Sequence, residues 1–181
     1  MRAATGAATD EGTHVMDQQD IDRELADARE LLGSPSELHL AYTAQDGTPR
    51  VVPAGFWWTG REVVISTAET APKVAALRDR PEVALSLANG DSPSGARSLS
   101  VRGRAEITIV DGLVPEYLAA AGKGMAGDEL AQFEQACRAL YDRMARIAVT
   151  PTWARYYDFG TGRIPTFLQE LAARGGTAGQ G

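Results

Sequence analysis

The sequence predicts a mainly β domain: a Greek-key antiparallel barrel carrying peripheral α-helices. Three observations lead there. Short alternating apolar segments are joined by tight turn signals, at Asp46-Gly47 and Thr59-Gly60. A single short helical stretch follows the third of these segments, at 72–80. A further pair of strand-like segments returns near the C-terminus, at 146–150 and 153–159.

Residues 1–19 are rich in Ala, Thr, Gly and acidic side chains without periodicity and read as a disordered tail. One domain is expected over 20–171, followed by a flexible Gly-rich tail at 172–181. Asp20 is expected to cap a helix whose apolar face is Ile21, Leu25, Ala28 and Leu32, with Gly33 as its stop. In 37–44, Leu38, Leu40 and Tyr42 alternate with His39, Ala41 and Thr43, the pattern of a half-buried strand. Residues 49–58 read as one return strand, with Pro53 requiring a bulge or an unpaired edge. Residues 61–67 form the third strand.

Thr70 is expected to cap the next helix, with Pro72 in its first turn and Pro81 ending it. Strands follow at 82–88 and 97–110, and Gly103 marks a bend or bulge in the second. Two helical segments, 113–121 and 128–144, form an insertion. The second carries a stripe of Leu130, Phe133, Cys137, Leu140 and Met144. Pro151 is expected to separate the last two strands.

Composition narrows the function. A net charge of −6 argues against a general nucleic-acid binder. One cysteine excludes an intramolecular disulfide, and with two histidines the chain lacks the donors of a usual zinc site. Cys137 reads as a small core residue. No signal-peptide pattern and no membrane-length apolar run are present, so a cytoplasmic protein without membrane partners is expected. The segment Gly122-Lys-Gly-Met-Ala-Gly127 spells G-x-G-x-x-G, but a helix precedes it and no βαβ unit surrounds it. It reads as a flexible interhelical loop. No nucleophile elbow is present, and no catalytic acid, base or nucleophile stands out.

The stretch Ser66-Thr-Ala-Glu-Thr-Ala-Pro-Lys73 is the informative one. Lys73 is one of two lysines among 18 basic residues, and it falls in a first helical turn, where the dipole disfavours a cation. Ser66 and Thr67 hydroxyls, helix N–H groups and the Lys73 ammonium together describe a phosphate site. A bound dianion would reverse the dipole penalty. The competing reading, a lysine that snorkels to water, stays open from this stretch alone. Arg50 could add a bidentate contact. In 54–58, Phe56 and Trp58 share one face and Trp57 the other. Ala54 and Gly55 would let a flat ring approach the backbone, so Gly55, Trp57 and Trp58 are candidate pocket residues.

"GTPRVVPAGFWW", "VISTAETAPKVAALRDRPEVALSL" and "SVRGRAEI" resemble the pyridoxamine 5'-phosphate oxidase-like family, over residues 36–165. The resemblance implies a split β-barrel that binds FMN or the deazaflavin coenzyme F-420. It implies a homodimer with the cofactor at the subunit interface and a small-molecule substrate. It places Arg50, the backbone of Val51, Val52 and Pro53, then Ser66, Thr67, Pro72 and Lys73 at the cofactor phosphate. Tyr157 and Arg163 match its C-terminal site positions. Two departures, Gly55 for a lysine and Pro165 for a histidine, count against vitamin B6 chemistry. The activity the resemblance implies is that of an oxidoreductase passing a hydride between cofactor and substrate. The alternative is a non-enzymatic flavin or haem carrier on the same barrel.

Overall fold

The computed structural model describes residues 16–34, 37–90 and 92–177, with side chains through residue 174. The expected tails therefore fall largely outside the described residues, at 1–15 and 178–181. Two short helices open the chain, α1 (Gln18–Asp27) and α2 (Arg29–Gly33). The cap of α1 is Asp17 rather than Asp20: extended Asp17 accepts the Asp20 amide at 2.8 Å, and Asp20 sits in the first turn, where its charge suits the dipole. The expected apolar face is buried throughout.

Seven strands make one sheet, every pair antiparallel: β1 (Leu38–Thr43), β2 (Pro49–Ala54), β3 (Phe56–Trp58), β4 (Val63–Ala68), β5 (Glu82–Asn89), β6 (Arg97–Asp111) and β7 (Arg143–Asp158). Their order is β2-β1-β5-β6-β7-β4-β3. The two outermost strands are thus consecutive in the chain, linked through Gly55 alone. The expected single strand 49–58 is instead two, because its first half pairs with β1 and its second with β4. A sheet whose opposite edges are one residue apart must roll up, and the result is the split barrel. Both tight turns form as read, with Gly47 at φ 81° and Gly60 at φ 93°.

Inside lie Leu38, Leu40, Phe56, Ile65, Leu85, Leu87, Leu99, Val101, Ile147 and Val149, each at most 1% exposed. The α1–α2 pair plugs one end with Leu25, Leu31 and Leu32. Helix α3 (Pro72–Asp79) packs on β1 and β6 and buries Val74, Ala76 and Leu77. Its N-cap is Ala71, not Thr70. Pro72 takes the first helical position, so the residue before it adopts the extended conformation that proline imposes.

The insertion comprises α4 (Pro115–Ala121) and α5 (Gly127–Leu140). Helix α5 stops at Leu140, which is 72% exposed, and Met144 belongs to β7 instead, paired with Val110 and Ala68. Pairing of Arg143 with Asp111 is what ends the helix early. Pro151 does not divide β7. It sits buried in a bulge opposite Gly103, with Thr152 as the extra residue between the Gly103–Pro151 and Arg102–Trp153 pairs. A last helix, α6 (Thr166–Thr177), carries through the region expected to begin a flexible tail.

At the bulge, a Cβ on Gly103 would lie 2.6 Å from the Thr150 carbonyl oxygen and 2.7 Å from Val149 Cγ1. Gly103→Ala is therefore expected to cost about 1–3 kcal/mol of stability. Urea unfolding should show a lower midpoint at unchanged m-value. An unchanged midpoint would show that the bulge has slack.

Candidate functional site

A cleft of about 560 Å³ opens where the barrel seam meets the α4–α5 hairpin. Its floor is the end of β2 and the middle of β4: Pro53, Ala54, Gly55, Val64 and Ser66. Val64 and Ser66 share the outward face of β4 by strand alternation, while Val63 and Ile65 enter the core. Lys73, from the first turn of α3, stands at one side. Helices α4 and α5 supply the opposite wall with Tyr117, Ala120, Met125 and Phe133.

Besides the exposed carboxylates of Glu37 and Glu129, the polar groups of the cleft fall into two kinds. Glu116 is satisfied: Arg146 holds it at 2.8 Å and also reaches Glu62 at 3.3 Å, which fixes α4 to β4 and β7. Tyr117 lies against Phe133 and Tyr141, and burial, then the neighbouring Cys137 and Tyr141, push its hydroxyl up to about 12. By contrast, Ser66 Oγ is buried with no hydrogen-bond partner among the described residues. Lys73 is half-buried and likewise makes no ion pair or hydrogen bond among them. Burial alone lowers its pKa from the ordinary lysine value. No side chain caps α3. An unpartnered hydroxyl and an unpaired ammonium beside an uncapped helix start are what an anionic group would satisfy. At Gly55 an added Cβ would meet nothing within 4 Å, so the cleft has room beside the backbone. These features fit the phosphate and flat ring of a flavin-type cofactor.

Pro53, Gly55, Ser66 and Lys73 are thus brought together. The other residues singled out in the sequence lie elsewhere. Thr67 alternates away from Ser66 and pairs with Ala145, and Pro72 is exposed at the start of α3. Arg50 closes the β1–β2 hairpin through Asp46 at 3.1 Å and, with Val51, lines a separate groove. Val52 packs against the core. Trp57 lies beside Lys123, and Trp58 lines a groove at the α1 end. Tyr157 pairs with Ser98 on the outer face of the sheet. Arg163 binds Glu24 at 2.7 Å and also pairs with Asp27. That Glu24 carboxylate, 7% exposed, accepts the Tyr156 amide at 2.7 Å and faces Arg155, so the cluster seals α1 onto the free edge of β7.

Sequence reasoning expected the inserted helices at 113–144 to cover the barrel and shape a pocket, but it named no site residue on this wall, from Glu116 to Phe133. It also missed Lys123, although the same scarcity of lysine that marked Lys73 marked it too. Among the described residues no group of three His, Cys, Asp or Glu could hold a metal, and no helix is long and apolar enough to cross a membrane.

Comparison with known proteins places this geometry. A conserved hypothetical protein of Mycobacterium tuberculosis is 22% identical, with a TM-score of 0.58 over 83% of this chain and 90% of that one. An F420 reductase is 30% identical, with a TM-score of 0.53 over 70% of this chain and 94% of its own. The haem storage protein HutZ of Vibrio cholerae is 15% identical, with a TM-score of 0.53, covering 75% and 94%. A search of curated proteins returns no match. The family model described as pyridoxamine 5'-phosphate oxidase matches residues 26–158. That span is well over half of the 181 residues, and the chain belongs to the pyridoxamine 5'-phosphate oxidase family.

Proposed function

We propose that this chain is an oxidoreductase that holds a phosphorylated flavin-type cofactor in the Lys73 cleft. It would pass a hydride between that cofactor and a small organic substrate. The observation that carries the reading is Lys73, half-buried and unpaired among the described residues, in the same cleft lining as Ser66 Oγ, which has no partner among them. Desolvating an ammonium is costly, and with neither a carbonyl nor a ring against Lys73 among the described residues, an anion arriving to share the site would offset that cost. FMN and coenzyme F-420 both bring a phosphate and a flat tricyclic ring. The residue pattern around Lys73 suits FMN, while the 30% identity to an F420 reductase favours the deazaflavin coenzyme.

When bound, the cofactor supplies the hydride chemistry, so the protein need only bind, orient and exclude water. Lys73 and Ser66 would hold the phosphate. Gly55 would leave room for the ring against the seam, and Phe133, Met125 and Ala120 would shield it from water. A second reading is a carrier that binds without turnover. It is favoured by Glu116, which Arg146 already holds, and by Tyr117, packed against Phe133 and Tyr141, so neither stands free to exchange a proton with a substrate. Steady-state reduction assays with the loaded protein separate the two.

The reading includes a homodimer with cofactor at the subunit interface. Its support is the outer face of the sheet, where Val51, Ala41, Ala84, Arg102 and Trp153 form one cross-strand row. Val51 is 63% exposed there, Arg102 stacks over the Trp153 ring at 4.4 Å, and Ala41, Ala84, Ser86 and Ser100 are small side chains on the same face. A second copy docked on this face would also cover Tyr157, which the cleft of one chain does not reach.

Two outcomes test the proposal. Lys73→Ala should keep the fold and weaken binding of FMN or F-420 by roughly tenfold to a hundredfold, the loss of one charge-assisted contact. Riboflavin, which lacks the phosphate, should bind both proteins alike. Titrating all three ligands into both proteins names the cofactor, and equal affinities across the two proteins would remove the phosphate site from this cleft. Light scattering should give twice the chain mass of 19.2 kDa, and Ala84→Glu should give the monomer. A monomeric wild type that still holds cofactor would rule out the shared interface.

A further inference from the structure

The Gly122–Gly127 turn between α4 and α5 is not the free loop its glycines suggest. Its backbone is folded onto the end of α4, with Gly124 and Met125 amides both donating to the Ala121 carbonyl at 3.0 Å. The side chain of Lys123 then leaves the hairpin altogether. Its Nζ donates to the Leu32 carbonyl at the end of α2, at 3.0 Å, and stands 3.6 Å from the centroid of the Phe56 ring. The Trp57 ring is 5.8 Å away. A cation at a helix C-terminus and over an aromatic face is doubly favoured.

The other ties of the hairpin to the barrel lie away from its turn: α4 rests on β3 and β4, with Val114 buried at its start, and α5 packs on α4. Arg146–Glu116 anchors only its first turn. The residues on either side of Lys123 are glycines, so the turn has no other side chain beside Lys123 to tie it to the barrel. Yet Gly124 and Met125 line the cleft, and so do Tyr117 and Phe133 of the two helices.

We propose that Lys123 is the positioning residue of the candidate cofactor cleft: by clamping the hairpin turn to α2 and Phe56, it holds the α4–α5 wall over the seam and sets how readily a ligand enters and leaves. It acts through Gly124 and Met125 rather than by touching the ligand. The clamp brings together α2, β3 and the hairpin, three elements far apart in sequence. Burial lowers the Lys123 pKa to about 8, and no carboxylate contributes to that shift. The ammonium is thus held by a carbonyl and a ring, without an acid partner. In its ligand arm the proposal rests on the cofactor reading above; in its wall-position arm it does not.

The experiment compares wild type, Lys123→Met, which keeps the apolar stem, and Lys123→Arg, which keeps the cation. Amide hydrogen exchange of the ligand-free proteins is followed over residues 115–140 and over β6 and β7. Losing the hydrogen bond and the ring contact should speed exchange in 115–140 by about tenfold in Lys123→Met, with β6 and β7 unchanged. Lys123→Arg should restore most of the protection. FMN release, measured by stopped flow, should quicken by a similar factor in Lys123→Met and return in Lys123→Arg. Exchange in 115–140 equal to wild type would overturn the proposal. So would a rise spread evenly through β6 and β7, or an arginine variant as fast as the methionine one. If neither FMN nor F-420 binds wild type, the cofactor reading falls while the exchange data still decide the clamp.

Discussion

The structure hangs on its seam. Strands β2 and β3 follow one another in the chain with only Gly55 between them, yet they are the two outer strands of the seven-stranded order. Covalent linkage therefore forces the two edges together, without the ladder of hydrogen bonds that would weld them into a closed barrel. Open edges invite pairing with other chains unless something covers them. Here the cover is the α4–α5 hairpin, resting on β3 and β4. The cleft is what remains between cover and seam, which is why Gly55 lies on its floor and the hairpin supplies its wall.

Charge satisfaction separates scaffold from site. The barrel end closed by α1 buries the Glu24 carboxylate, but Arg155, Arg163 and the Tyr156 amide all meet it. A buried charge so surrounded is structural, and its removal would strand its partners. Arg146, between Glu62 and Glu116, does the same for the hairpin. Trp153 Nε1 and Arg155 Nε are also buried without a hydrogen-bond partner among the described residues, but Ser66 Oγ lies in the lining of the cleft together with the unpaired Lys73. That coincidence is the reason to look for a ligand there.

Membership of the family fixes the architecture more firmly than the chemistry. The same barrel shape appears in proteins named for F420 reduction and for haem storage, so function must be argued from the site. The site of this chain has a distinct character. Glycine stands at position 55 on the floor, and a fourteen-residue helix, α5, stands over it through a second, shorter one. Both features bear on ligand size and access rather than on a reacting group.

Much of the local structure was legible in sequence because its causes are local. Alternation placed Leu38 and Leu40 inside, turn glycines fixed both hairpins, and a glycine within a strand marked the Gly103 bulge. Lys73 stood out because a cation in a first helical turn needs a reason. Other features depended on partners that no local pattern encodes. The division of 49–58 arises because β1 and β4 claim different halves. Continuity of β7 through Pro151 depends on Gly103 offering space across the ladder, and the end of α5 on Arg143 finding Asp111. Arg163 pairs with Glu24 across more than a hundred residues, and Lys123 reaches Leu32 across 91. By itself the sequence determined the strands, turns and core faces, since propensity and periodicity act over a few residues. Only the tertiary structure decided which side chains share a cleft and which charges are left without partners, since both depend on contacts between segments remote in the chain.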